Sequence, residues 1–492
     1  MNPIIPNDPF AVNRRHFFKK STTGIGGMAL ASMMAKASDS DHSGVFGSPG
    51  FTPKAKRVIY LFQSGGPSQF ETFDHKPYLQ KHHGEELPPE AHGRATGMSS
   101  NQSSKPMAGS VFKFGKFGKS GQEMNADLLP WTQKIADDIC IMRNVYTDAI
   151  NHDPAITFIQ TGAQIAGRPC LGSWLSYGLG TDNSDLPNFI VMVSKNGGGQ
   201  PLYSRLWGSG FLDSRHQGMQ FLSGEDRVLY LKNPKGVSNE SRRSMLQKLN
   251  ALNKEAFYKE LDPEIESRIA QYEMAYRMQA SVPEASDMSN EPQSTWDLYG
   301  DEAKQPGTYA ANCLQARRLA ERGCQFIQLY HQGWDAHGGL PGSMRDRCKK
   351  TDRGSAALVM DLKQRGLLED TLVIWGGEFG RTPYSQGFIK KDNYGRDHHQ
   401  ACFSMWMAGG GIKGGITVGH TDKYGSKIVR PDGSPVNANK HHYDKDAIHI
   451  HDLQATILHQ MGVDHTKLSY KFQGRRFRLT DVHGHKVNHI IA

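Results

Sequence analysis

The chain has 492 residues, 37% of them hydrophobic and 22% charged, with 53 glycines. That is enough for one large α/β domain or two or three ordinary ones, rich in tight loops. No run of about 18 uninterrupted apolar residues exists, which excludes a conventional membrane span. The net charge of +9 and the scattered basic clusters give no reason to expect a nucleic-acid partner.

Residues 1–37 read as an export address. Asn13-Arg14-Arg15-His16-Phe17-Phe18-Lys19 is a twin-arginine pattern, Ser21 to Met34 an apolar stretch, and Ala35-Lys36-Ala37 a small-x-small cleavage site. The five Lys/Arg and one Asp of this leader leave +5 of the +9 on the mature chain. Residues 38–56 read as a linker. The six cysteines, Cys140, Cys170, Cys313, Cys324, Cys348 and Cys402, contain no CxxC pair, so a thiolate zinc knuckle is not expected.

The folded part is expected over 57–492. Short β-branched and aromatic runs predict buried strands at Arg57–Phe62, Phe189–Val193, Gln325–Tyr330, Thr371–Trp375 and Phe403–Ala408. Apolar spacings of three and four predict helices over Tyr309–Arg322 and Gly354–Gly366. Strands alternating with helices predict a largely parallel sheet with helices on both faces. Residues 239–281 are charged and Met-rich and read as a helical insertion or lid. Residues 282–300 read as an extended connection back to the core.

In such sheets the chemistry sits in loops at the carboxyl ends of strands. The loops Ser64-Gly65-Gly66, GWDAHGG (333–339) and GGEFGRT (376–382) each follow a predicted strand and can meet in one cleft. GWDAHGG is either a polar turn or half of a metal site. Residues two apart in an extended segment point the same way, and Asp335 with His337 is a carboxylate–imidazole pair suited to zinc, manganese or iron. Asp397-His398-His399 is a second cluster, in which adjacent histidines point apart. Glu378 is a candidate ligand or general base, or the salt-bridge partner of Arg381. His152 is a candidate ligand, general base or nucleophile, or a histidine in an Asx-Pro turn. Of the late histidines (His441, His442, His449, His451, His483, His485) most read as surface or loop residues. Asp452 reads as a helix cap.

These motifs carry a resemblance. SGGPSQFETFDHKP (64–77), HDPAITFIQTG (152–162), QLYHQGWDAHGG (328–339), TLVIWGGEFGRTPYSQG (371–387), GRDHHQACFSMWMAGGGIKGG (395–415) and FQGRRFRLTDVHG (472–484) are similar to those of the domain-of-unknown-function 1501 family of exported bacterial proteins. That family looks like a distant branch of the alkaline phosphatase and sulfatase superfamily. The resemblance implies a three-layer alkaline-phosphatase-like α/β fold with a mostly parallel central sheet and a helical insertion. It implies one retained metal site built from Asp335, His337 and either His398 or His399, with Glu378 as base or further ligand. It puts Arg381 or Arg396 on the anionic oxygens of a substrate and His152 at the nucleophile's place, as general acid/base. It also implies an altered second site, whose places hold Ser64, His152, Glu378 and Phe379, where phenylalanine cannot ligate and histidine is not the usual hydroxylated nucleophile.

The function implied is an exported metal-dependent hydrolase of sulfate or phosphate esters, periplasmic or extracellular. Its cofactor would be a divalent metal, zinc first, with manganese, iron or calcium as alternatives. Its substrate would be a small anionic ester or a sulfated polysaccharide. The alternative is a non-catalytic binding or scaffold protein that keeps the fold. The sequence assigns no oligomeric state.

Overall fold

A computed structural model describes residues 44–46, 50–93, 97–180, 183, 185–194, 199–200, 202–224, 226–229, 231–260, 263–441 and 443–492. The expected leader, much of the expected linker and His442 lie outside the described residues.

A nine-stranded sheet runs through the centre of the folded part. Its strands are β1 (Arg57–Gln63), β2 (Ile139–Tyr146), β3 (Phe189–Val193), β4 (Met219–Phe221), β5 (Phe326–His331), β6 (Thr371–Gly376), β7 (Phe403–Ala408), β8 (Ile416–Val418) and β9 (Ile448–His449). The spatial order is β8-β2-β7-β6-β1-β5-β3-β4, with β9 also paired to β2. Every pairing is parallel except those of β7, which is antiparallel to both β6 and β2.

β1 shows why these segments form central strands. Val58, Tyr60 and Phe62 pack on one face with Phe326, Tyr330, Leu372 and Ile374. Ile59 and Leu61 pack on the other with Ile327, Leu329 and Val373. Both faces need apolar side chains, so the strand is a continuous apolar run rather than an alternating one. Each such side chain contributes about 1.5–3 kcal/mol on burial.

Helices cover both faces. On the Val58 side lie α1 (His152–Thr161), α2 (Leu171–Leu179) and α7 (Ile450–Gln460), through Ile156, Trp174 and Leu453. On the Ile59 side lie α5 (Tyr309–Glu321) and α6 (Leu340–Gln364), through Leu314 and Leu358. The fold is therefore α/β, three-layered, with a mostly parallel central sheet. In the segment read as an insertion, α3 (Asn239–Glu260) and α4 (Pro263–Ser286) pack along each other.

The structure differs from the sequence reading in four places. β2 is a central strand, although Arg143 and Asn144 interrupt its apolar run. His152 opens a helix rather than a loop turn. Residues 282–300 are not extended, because α4 continues to Ser286 and a further helix covers Gln293–Tyr299. The end of the expected linker already belongs to the fold, since the backbone N–H groups of Lys54 and Ala55 donate to Gln460 O at 2.9 and 2.8 Å.

Candidate metal centre

Three strand ends build the site. β1 runs into Gly65 and Gly66, both at positive φ (118° and 65°). A Cβ on Gly65 would lie 2.6 Å from the backbone nitrogen of Asp335, so only glycine lets this loop approach the one after β5. The loop after β5 carries Trp334 and Ala336 into the core and turns Asp335 and His337 the other way, by the alternation of extended backbone. Trp334 is pinned by its indole N–H, which donates to Gln63 Oε1 at 3.0 Å. After β6, Gly380–Arg381 pairs antiparallel with His398–His399, placing His398 opposite Arg381. His398 and Arg381 then share a face, and both reach Asp335.

Asp335 is the hub. Its Oδ1 lies 2.9 Å from His337 Nε2, 3.4 Å from His398 Nε2 and 2.6 Å from an Arg381 nitrogen, and its Oδ2 lies 3.3 Å from His152 Nε2. One donor atom from each of His152, Asp335, His337 and His398 falls within 4.8 Å of all the others. Among the described residues no other group of His, Cys, Asp and Glu converges this way.

The outer nitrogens explain the convergence. His152 Nδ1 meets Glu378 Oε1 at 2.6 Å, His398 Nδ1 meets Ile150 O at 2.8 Å, and His337 Nδ1 meets Gln386 Oε1. A peptide carbonyl only accepts, so His398 carries its hydrogen on Nδ1. Burial, together with the charges of Arg381 and His152, holds its pKa below the usual imidazole range despite the nearby Asp335 charge, which keeps the ring neutral. Its Nε2 lone pair then faces the Asp335 carboxylate, and two electron-rich atoms confront each other. His152 Nε2 is buried and has no well-directed hydrogen bond. A cation among these atoms satisfies both, and an imidazole whose far nitrogen is held by an acceptor is how proteins present a metal ligand. The residues fit a divalent metal.

Charge is concentrated here. Burial alone would raise the pKa of Asp335, but the three imidazoles and the Arg381 guanidinium hold its carboxyl far below the usual carboxylate range. Burial would lower the pKa of His152, and the carboxylates of Asp335 and Glu378 beside its ring outweigh that and raise it. Phe379 forms an apolar wall, with its ring centroid 4.5 Å from that of His398 and 4.9 Å from that of His152. The side chains of His337 and Asp335 keep 27% and 20% of their exposure, so the centre opens to solvent on that side.

Four sequence expectations change. His399, named beside His398 as a ligand, faces away because adjacent strand residues alternate, and its Nε2 bonds Ser426 O at 2.9 Å. Glu378 is fully buried and stands one bond outside the group, accepting the Gly65 N–H at 2.9 Å and holding His152. Arg381, placed on substrate oxygens, is also fully buried. Its guanidinium is used on Gly65 O, Gly66 O, Arg396 O and Asp335. Arg396 is likewise used on Glu71, Thr382 O and Ala108 O. Of the roles open to His152, the structure brings its ring into the donor group. The roles of Ile150 O and Gln386 left no mark in the sequence, since a main-chain carbonyl has no residue signature.

The family described as "Protein of unknown function (DUF1501)" matches residues 55–491, and the chain belongs to it. A comparison with curated proteins gives no match. Among solved structures, the chain is similar to a protein in the alkaline phosphatase superfamily from Vibrio parahaemolyticus, with 10% identity, a TM-score of 0.34, and 85% of this chain and 69% of that one covered. It is similar to the PsFucS1 sulfatase from Pseudoalteromonas sp., with 12% identity, a TM-score of 0.35, and 97% and 76% covered. It is also similar to the lipoteichoic acid synthase LtaP from Listeria monocytogenes, with 9% identity, a TM-score of 0.31, and 87% and 75% covered.

Proposed function

We propose that the chain is a metal-dependent hydrolase of sulfate or phosphate esters, on a distant branch of the alkaline phosphatase and sulfatase superfamily. In this reading residues 1–37 are removed on twin-arginine export and the mature protein works in the periplasm or outside the cell. The observation that carries it is the set of three imidazoles, each held at Nδ1, with every Nε2 turned on one carboxylate.

His152, Asp335, His337 and His398 would hold the metal, zinc first by the chemistry of the donors. A divalent cation there supplies Lewis acidity toward an ester oxygen and toward water. Glu378, Gln386 and the Ile150 carbonyl fix the three rings. Arg381 fixes Asp335 and keeps it ionised. Phe379 keeps water from one side of His152 and His398. A small anionic ester, or the sulfate ester of a polysaccharide, enters from the open side beside His337.

A non-catalytic binding protein with one structural ion is the second reading. The internal use of Arg381 and Arg396 favours it, because neither is left to hold substrate oxygens. Metal content by mass spectrometry on the folded chain and on Asp335→Ala, with hydrolysis of 4-nitrophenyl sulfate and phosphate, separates the readings. About one equivalent of metal and turnover, both lost in the variant, is expected for the enzyme. Metal without turnover of either ester selects the binding protein. No metal in either chain ends both.

A further inference from the structure

The motif FQGRRFRLTDVHG opens on a feature that the metal centre does not use. Tyr470–Phe472 and Arg475–Phe477 form an antiparallel hairpin. Its two turn residues, Gln473 and Gly474, both have positive φ (46° and 82°). That is the turn whose twist suits a tight hairpin, so the register is well defined. In this register Tyr470 lies opposite Phe477 and Phe472 opposite Arg475. The aromatic side chains of these pairs rest on Phe211, with ring centroids 5.8, 5.0 and 5.1 Å away for Tyr470, Phe472 and Phe477.

The middle pair is Lys471 opposite Arg476, both exposed. Directly opposed residues stand about 4.5–5.5 Å apart, and like charges there are destabilising. No acidic side chain pairs with either among the described residues, and Arg476 reaches only Ser469 Oγ, at 3.4 Å. The cations continue beyond the pair. Arg475 and Arg168 share the single carboxylate of Asp481, and Arg478 donates to the Asp481 carbonyl. The chain thus anchors one face of a hairpin with aromatic rings and sets two repelling cations on the other.

We infer that this hairpin face docks a sulfated polysaccharide. A sulfate half-ester spreads its charge over several oxygens and meets both head groups at once. Two exposed cations in water hold one such group weakly. Useful affinity therefore needs a chain that repeats the group and reaches round the turn, from Lys471 and Arg476 on the outer face to Arg475 and Arg168 beside the Phe477 ring on the other. A membrane fits less well, because Phe472, at 37% exposure, is the only exposed apolar residue of the hairpin. A nucleic acid fits less well, because the aromatic rings are stacked on Phe211 rather than presented to bases. The inference shares with the proposed hydrolase only the class of ligand. Its assay measures binding without turnover, so each can fail alone.

The test measures binding of the full chain to dextran sulfate, to unsulfated dextran, to duplex DNA and to anionic phospholipid vesicles at low and moderate salt. Dextran sulfate is expected to bind best, with affinity falling as salt rises, and dextran is expected not to bind. Lys471→Glu is the key variant. It turns the opposed pair into an ion pair, so its Tm is expected to rise by about 1 °C while dextran sulfate binding weakens about tenfold or more. Lys471→Ala with Arg476→Ala is expected to weaken binding similarly without lowering Tm. Unchanged binding in Lys471→Glu, equal binding of dextran, or no binding of dextran sulfate would overturn the proposal. So would tighter binding of DNA or vesicles at matched charge.

Discussion

Two regions of this molecule gather histidines around an aspartate, and in only one of them do the donor atoms converge as a metal's ligands would. Around Asp335, three imidazoles give their Nδ1 to an outer partner and turn Nε2 inward. Around Asp148, the same residue types are used up by the fold. His449 is the N-cap of α7, and its Nδ1 accepts the His451 N–H at 3.3 Å. Its remaining hydrogen is therefore on Nε2, 3.6 Å from Asp148 Oδ2, where Lys440 Nζ already sits at 2.9 Å. His451 spends Nε2 on Gly162 O at 3.1 Å, and burial pushes its pKa down to about 3. A count of ligand-type residues does not separate the two regions. The direction of each lone pair does, and the residue on the far side of each ring sets that direction.

The largest effect that tests this contrast is the loss of Asp335. Asp335→Ala should bind no measurable metal, whereas removal of Asp148 by Asp148→Ala should leave the metal content of the chain unchanged. Equal metal content in the two variants, measured by mass spectrometry after reconstitution, would remove the distinction. The next effect is in the outer shell. Glu378→Gln keeps an acceptor for His152 Nδ1 but removes the charge that makes the imidazole a stronger ligand. Metal affinity should fall about 10–100-fold in a competition titration with a chelator. An unchanged affinity would mean that His152 lies outside the coordination set.

The sequence carried the framework of this comparison and missed its decisive atoms. The strands β1, β3, β5, β6 and β7 stood out as apolar runs because each is buried on both faces. β2 did not, because Arg143 and Asn144 break the run, although it lies between β7 and β8. Asp335, His337 and the His398-His399 pair were visible as ligand types in glycine-rich or strand-end segments. Which of the adjacent histidines turns inward depends on the pairing of residues 398–399 with 380–381, a long-range register that no local pattern encodes. His152 was visible as one candidate ligand among other roles, but not as a member of the Asp335 group, since its place comes from the start of a helix over a hundred and eighty positions before Asp335. The arginines misled most. Arg381 and Arg396 have the chemistry of anion binders, and burial commits both to backbone carbonyls and internal carboxylates.

The histidines around Asp148 make a separate prediction for acid. His451 is buried, and its folded pKa of about 3 lies below the ordinary 6.5. The unfolded chain therefore takes up a proton between pH 6.5 and about 3 that the folded chain refuses. The associated stability is fully present above pH 6.5 and is lost as the pH falls through that window. In His451→Gln, whose amide can still donate to Gly162 O, denaturant midpoints should fall less steeply with acid. A variant that loses stability along the same acid curve as the parent would place the acid sensitivity elsewhere, with buried His331 the next group to replace.

The smallest effect is the cap. His449 and Asp452 form a capping box, in which the His449 N–H donates to Asp452 Oδ2 at 2.9 Å while the His449 ring accepts from the first turn of α7. His449→Ala removes one of these two bonds and should cost about 1 kcal/mol of stability. For a chain of this size that is a fall in Tm of no more than a few degrees. His449→Asn, which keeps a capping oxygen, should recover most of the loss, and both variants should keep their metal. A histidine needed for metal would behave in the opposite way: the asparagine would rescue nothing, and the metal content would drop with either replacement.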